Sequence, residues 1–197
     1  MTSPGGPEGD PVTSPGGPEG DRVTSPVVHR AAVLGSPIAH SLSPVLHRAA
    51  YAALGLTGWT YDAIEMTADR LPEFLHGLDS SWRGLSLTMP LKAAVVPLLD
   101  EISPLAQLVR AVNTVRITPA DHAVVLSGDN TDVPGFAAVL ASHGHPTPSR
   151  PVLLGAGNTA AAALAAVANE AHPVTVLARR PTRSPSATEA SLMATGF

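Results

Sequence analysis

The chain contains no cysteine, which excludes a disulfide framework, a thiolate-ligated metal and thiol catalysis. It is almost without lysine: of 12 basic residues, 11 are arginine and one, Lys92, is lysine. Aromatic residues make up 4% of the 197 and charged residues 14%. No apolar run approaches the roughly 18 residues that a membrane span needs. The first residues lack the basic and apolar regions of a secretory signal. The formal net charge is −4, so there is no basic footprint for nucleic acid. These absences describe a cytoplasmic globular protein that binds neither nucleic acid nor membrane. They also single out Lys92. Lysine, unlike arginine, can give up its proton near neutral pH when its surroundings help.

What is present falls into segments. "TSPGGPEGD" occupies 2–10 and recurs at 13–21. This tail, residues 1–26, is nearly all Gly, Pro, Ser, Thr and acids and is expected to be disordered. From Val27 the texture changes. "AAVL" (31–34) reads as a buried strand. Ser43 and Pro44 fit the N-cap and first turn of a helix whose apolar face is Val45, Leu46, Ala49, Ala50, Ala53 and Leu54. Further strands are expected at 59–66, 84–88, 111–117 and 122–128, the last two paired around a Pro-Ala-Asp turn. Helices are expected at 68–78, 104–111 and 133–143, with a turn and short helix within 89–99. This alternation implies an α/β domain with a mostly parallel sheet over residues 27–143. "SHGHPTPSRP" carries a linker at 144–151, and a βαβ start follows from residue 152 to the end at 197.

In that second unit, "VLLGAGNTAAAA" (152–163) sets Gly155, Gly157 and Ala160 in a G-x-G-x-x-A pattern directly after a strand. The first glycine permits the tight turn and the second lets backbone approach a pyrophosphate. The helix N-terminus adds free N–H groups and a positive dipole end. Cofactor contacts are therefore expected at Gly155, Ala156, Gly157, Asn158 and Thr159. The next strand ends in "LARRPTR". NAD would favour an acid there for the ribose hydroxyls, whereas Arg179, Arg180 and Arg183 suit a 2′-phosphate. NADP is the expected cofactor.

In the first domain, polar residues gather at the ends of apolar segments: Ser41 and Ser43, Thr88 and Lys92 in "SLTMPLK", Asn113 in "VNT", and Asp132 in "DNTD". In open α/β sheets, ligands bind beyond the carboxyl ends of the strands. Each residue has an ordinary structural reading too: Ser43 and Asp132 as helix caps, Asn113 as a turn or edge residue. Together they supply hydroxyls, an amide, a carboxylate and one ammonium, an inventory suited to a small polyhydroxy acid. No metal is called for.

These residues resemble the shikimate dehydrogenase family. "GSPIAHSLSPVLHRAA" (35–50) is similar to its N-terminal signature, and "GLSLTMPLK" (84–92) to its G-x-N-V-T-x-P-x-K segment. "AVNTV", "GDNTD" and "GAGN" follow in family order and spacing, so the resemblance covers about residues 30–183. It implies an N-terminal α/β substrate-binding domain and a Rossmann-type NADP domain. It implies that Ser41 and Ser43 bind a substrate carboxylate and that Thr88, Asn113, Lys92 and Asp132 surround the ring hydroxyls, with Lys92 and Asp132 as the catalytic pair. The reaction would be reversible, NADPH-dependent reduction of 3-dehydroshikimate to shikimate, towards chorismate and the aromatic amino acids. A quinate/shikimate dehydrogenase and a non-catalytic small-molecule-binding fragment are the alternatives. The resemblance admits a homodimer without requiring one.

The sequence departs from that pattern at several points. Ser86 stands where the family has asparagine, Asn158 where it has a further glycine, and Arg48 where it has asparagine. Val133-Pro134 follows the aspartate where many relatives have glycine. Only two strands are legible after residue 151, against about six in a dinucleotide-binding sheet. The second domain is therefore expected to be partial, the chain truncated and its own activity low or absent.

Overall fold

The structure, a computed structural model, describes Met1 and residues 28–121, 123–168 and 173–178. The repeat at 1–26, Arg179, Arg180, Arg183 and the final residues lie outside the described residues.

The first strand, β1 (His29–Gly35), is buried continuously from Ala31 to Gly35. That is the signature of a strand covered on both faces. It lies between β2 (Trp59–Glu65) and β3 (Trp82–Leu87), parallel to both. β5 (Thr114–Ala120) runs antiparallel to β3 and to β6 (Ala123–Asp129), forming the hairpin that the sequence pattern predicts. A two-residue strand, β4 (Glu101–Ile102), pairs parallel with β6 at the far edge. It is too short to leave a periodic signal. The order is β2-β1-β3-β5-β6-β4. Three of the five pairings are parallel, as expected, and β5 is the single reversed strand.

One sheet face presents Ala32, Leu34, Leu85, Leu87, Val115, Ile117 and Leu126. These pack with Leu71 and Leu75 of α2 (Leu71–His76), Leu91 of α3 (Leu91–Ala94) and Ala106 of α4 (Pro104–Val109). The other face presents Ala31, Val33 and Tyr61, which pack with Ile38 and with Tyr51 of α1 (Ser43–Ala53).

Helix α1 corrects two expectations. Ser43 is its first helical residue rather than its cap; Leu42 holds the cap position with no side-chain bond. The Ser41 hydroxyl instead accepts the Ser43 N–H at 3.4 Å. The predicted apolar face also points outward: Val45 and Leu46 are both 69% exposed and Leu54 71%. The side facing the sheet is Pro44, His47 and Tyr51, which keep the same helical spacing. The helix carries a second stripe of the same period, and on it Pro44 is buried and His47 stacks on Tyr61.

The second unit comprises β7 (Val152–Leu154) and β8 (Thr175–Leu177), which are parallel, with α6 (Asn158–Val167) between them. Ala162 of α6 packs with Val109 and Ala111 and with Val133 of α5 (Asp132–Ser142), with Leu105 and Phe136 at the margin. Among the described residues no helix is long and apolar enough to cross a membrane.

Leu34 is fully buried at the centre of the sheet. Leu34→Ala should destabilise the fold by about 2–5 kcal/mol. In urea this reads as a lower midpoint with an unchanged slope.

Candidate functional site

Because β5 alone is reversed, its start lies at the same sheet edge as the ends of β1, β3 and β6. Four connections therefore meet there: residues 36–43 after β1, 88–92 after β3, 111–113 before β5 and 130–132 after β6. The backbone locks them together. Thr88 N–H donates to the Leu34 carbonyl (2.9 Å), Ser36 N–H to Met89 (3.0 Å), and Val112 N–H to Lys92 (2.7 Å). Leu87 N–H donates to Asn113 (2.8 Å), and Asn113 N–H to Asp129 (3.1 Å). Gly35 is required by this closeness. A Cβ there would collide with the Thr88 Cγ2 methyl and meet the Met89 carbonyl at 3.0 Å.

Lys92 sits on α3 beside the fully buried Leu91. Its Nζ donates to Asp132 Oδ2 at 2.6 Å, and the two side chains are 14% and 25% exposed. The other carboxylate oxygen, Oδ1, accepts from Asn113 Nδ2 at 2.7 Å. The Asn113 carbonyl oxygen accepts from Thr131 N–H (3.0 Å), Thr131 Oγ1 (3.1 Å) and Thr114 Oγ1 (2.9 Å). So Lys92, Asp132 and Asn113 form one network.

Asp132 does not cap α5. Asn130, 1% exposed, accepts from Asp132 N–H (3.0 Å) and Val133 N–H (3.4 Å) and donates to the Ala111 carbonyl (2.8 Å). The cap is one residue before the helix's flanking position, and the Asp132 carboxylate is left to the lysine and the amide. Asn130 was not singled out in the sequence; its only signal was a place inside "DNTD".

Ser41, Ser43 and Thr88 lie in the neighbouring connections, half-buried. Among the described residues their side chains make no hydrogen bond to the Lys92 network. The Ser43 carbonyl is bonded by His47 Nδ1 at 2.9 Å, and the His47 ring stacks on Tyr61 at 3.8 Å. A cavity of about 480 Å³ opens on the β4 side, lined by Glu101, Ser103, Thr114, Arg116, Ser127 and Asp129 among others. None of the residues expected to bind substrate lines it.

In the second unit, Gly155 has φ +108°, a conformation that favours glycine. A Cβ at Gly157 would meet nothing within 4 Å, and residues 155–157 are exposed. The loop is an open cradle at the start of α6, whose first N–H groups have no partner inside the helix. It fits a dinucleotide phosphate. Asn158 and Thr159 open the helix. No cluster of metal-ligating side chains occurs among the described residues.

Fold and site together define an α/β domain with its chemistry gathered at one sheet edge, joined to a strand–glycine loop–helix unit. Residues 33–115 match the family model for the shikimate dehydrogenase substrate binding domain. Shikimate dehydrogenase (NADP(+)) of Thermus thermophilus is 41% identical over 155 residues, 79% of this chain and 57% of that protein. The Mycobacterium tuberculosis shikimate dehydrogenase structure aligns over 85% of this chain and 59% of its own, with TM-score 0.68 and 42% identity. The Thermus thermophilus shikimate 5-dehydrogenase in complex with NADP(H) and shikimate aligns over 84% of this chain and 61% of its own, with TM-score 0.72 and 38% identity. A ligand-free 5-ketofructose reductase of Gluconobacter is similar at TM-score 0.71 and 28% identity, over 86% of this chain and 60% of that one. Residues 33–115 are therefore similar to that family's substrate-binding domain, and the chain spans about three fifths of the length of those relatives.

Asn130→Ala leaves two helix N–H groups and a buried carbonyl without their partner. It should cost about 1–3 kcal/mol in urea unfolding. Tyr51 and Tyr61, the chain's two tyrosines, are both pushed above their ordinary 10.0 by burial. The folded state holds these protons more tightly than the unfolded chain. Their contribution to stability is therefore complete below pH 10.0 and is lost as pH rises through the folded-state values. Phenolate absorbance should titrate at higher pH in the native protein than in urea.

Proposed function

We propose that this chain carries the substrate site of an NADP-dependent shikimate dehydrogenase, catalysing reversible reduction of 3-dehydroshikimate to shikimate in the cytoplasm. The observation that carries this reading is the Lys92–Asp132–Asn113 network at the strand ends. It places the chain's only lysine, half-buried, against a carboxylate whose second oxygen is held by an amide.

NADPH, when bound, supplies the hydride to the ketone carbon. Gly155, Ala156, Gly157, Asn158 and Thr159 would hold its phosphates against the α6 N-terminus. Arg179, Arg180 and Arg183 would take the 2′-phosphate. Ser41 and Ser43 hold the substrate carboxylate through their hydroxyls. Thr88 and Asn113 take ring hydroxyls. Lys92 Nζ donates a proton to the oxygen that becomes the alcohol, and in oxidation takes it back. Asp132 and Asn113 fix where that ammonium sits, so proton transfer begins from an oriented donor.

A second reading is favoured by the likeness to the 5-ketofructose reductase: a related polyhydroxy compound, such as quinate or a keto sugar, as substrate. Calorimetry with shikimate, quinate and 5-ketofructose separates these. Shikimate should bind tightest, and a keto sugar without a carboxylate should bind no differently to Ser41→Ala.

In a complete, active version of this enzyme, Lys92→Ala should lower the turnover of shikimate-dependent NADP+ reduction by about 10²–10⁴-fold, with a thermal midpoint near that of its parent. Near-normal turnover, or a wild-type chain that fails to bind shikimate, would overturn the reading. NADP+ should bind more tightly than NAD+, and the reverse order would remove the role given to the arginines.

A further inference from the structure

Tyr61 lies on β2, two strands away from β3, yet its phenol donates a 2.7 Å hydrogen bond to Ser86 Oγ across β1. The ring is 2% exposed. His47 stacks on it at 3.8 Å with an interplanar angle of 10°, and Ala31, Val33 and Ile38 pack around it. Its carbonyl accepts from Arg48 Nε at 2.9 Å. A ring held this way has little rotamer freedom, so the phenol oxygen is a fixed point.

Ser86 is the residue before the last of β3. It sits opposite Thr114 and two residues before Thr88, and so on the same sheet face as both at the functional edge. A serine hydroxyl has one proton and two acceptor sites. With Tyr61 donating to it, the half-buried Ser86 oxygen keeps its own proton for a further acceptor. The Ser43 backbone carbonyl is tied to this ring through His47, which bonds it and stacks on Tyr61.

We propose that Tyr61 is a positioning residue that orients the Ser86 hydroxyl toward the substrate. The proposal rests on the substrate reading above and deepens it. Serine is shorter than the asparagine it replaces in the family pattern, and its hydroxyl rotates freely on its own. Tyr61 supplies the orientation that the shorter side chain lacks.

The test is a double-mutant cycle on the 197-residue chain, using Tyr61→Phe, Ser86→Ala and the double variant, read by shikimate calorimetry. Phenylalanine keeps the ring under His47, so thermal midpoints should stay close to wild type. Tyr61→Phe should weaken shikimate binding about three- to tenfold. Ser86→Ala should weaken it similarly, and the double variant no more than Ser86→Ala alone. Wild-type affinity in Tyr61→Phe, or additive losses in the double variant, overturns the positioning role and leaves the substrate reading standing. No shikimate binding by the wild type overturns both.

Discussion

The polar network at the strand ends is built around one ion pair between residues 40 positions apart. Lys92 Nζ and Asp132 Oδ2 are 2.6 Å apart, and neither side chain is more than a quarter exposed. Removing two charges from water is costly, and their attraction offsets that cost only when the remaining donors and acceptors are satisfied. The surroundings meet that condition step by step. Asn113 takes the second carboxylate oxygen, Thr131 and Thr114 take the Asn113 carbonyl, and Asn130 holds the helix start that carries Asp132. Loss of any of these would leave a charge poorly compensated. That explains why so many polar groups converge on three connections.

The pair in turn requires the sheet to have its particular order. In an all-parallel sheet the start of β5 would lie at the opposite edge from the ends of β3 and β6. Reversing β5 brings Asn113 beside Lys92 and Asp132, and the β5–β6 hairpin then returns the chain to the same edge within a two-residue turn. Backbone bonds from Val112 to Lys92 and from Leu87 to Asn113 make the arrangement rigid before any side chain contributes.

Much of this was legible in the sequence. Strands β1, β3, β5 and β6 are short apolar runs bounded by Gly, Pro or polar residues, and each lies where its pattern places it. Lys92 was expected just beyond a strand end, whereas Asp132 and Asn113 also read as a helix cap and a turn or edge residue, and their grouping with Lys92 around a ring followed from the family resemblance. Other features were not legible, for distinct physical reasons. β4 is two residues long, below any periodicity. The burial of α1 was misread because Val45, Leu46 and Leu54 share the helical period of Pro44, His47 and Tyr51. Period alone cannot say which stripe meets the sheet. Asn130 and Tyr61 act through partners far away in sequence, Ala111 and Ser86, and no local pattern marks such residues.

The two sides of the site divide the electrostatic work. On one, the ammonium and carboxylate of Lys92 and Asp132 supply charge. On the other lie the neutral hydroxyls of Ser41, Ser43, Ser86 and Thr88, of which Ser86 is bonded by Tyr61, while His47, stacked on Tyr61, bonds the Ser43 carbonyl. Lys92 is the chain's single lysine in an otherwise arginine-only background; in the proposed proton transfer, an arginine at this position could orient the same oxygen but could not exchange a proton with it.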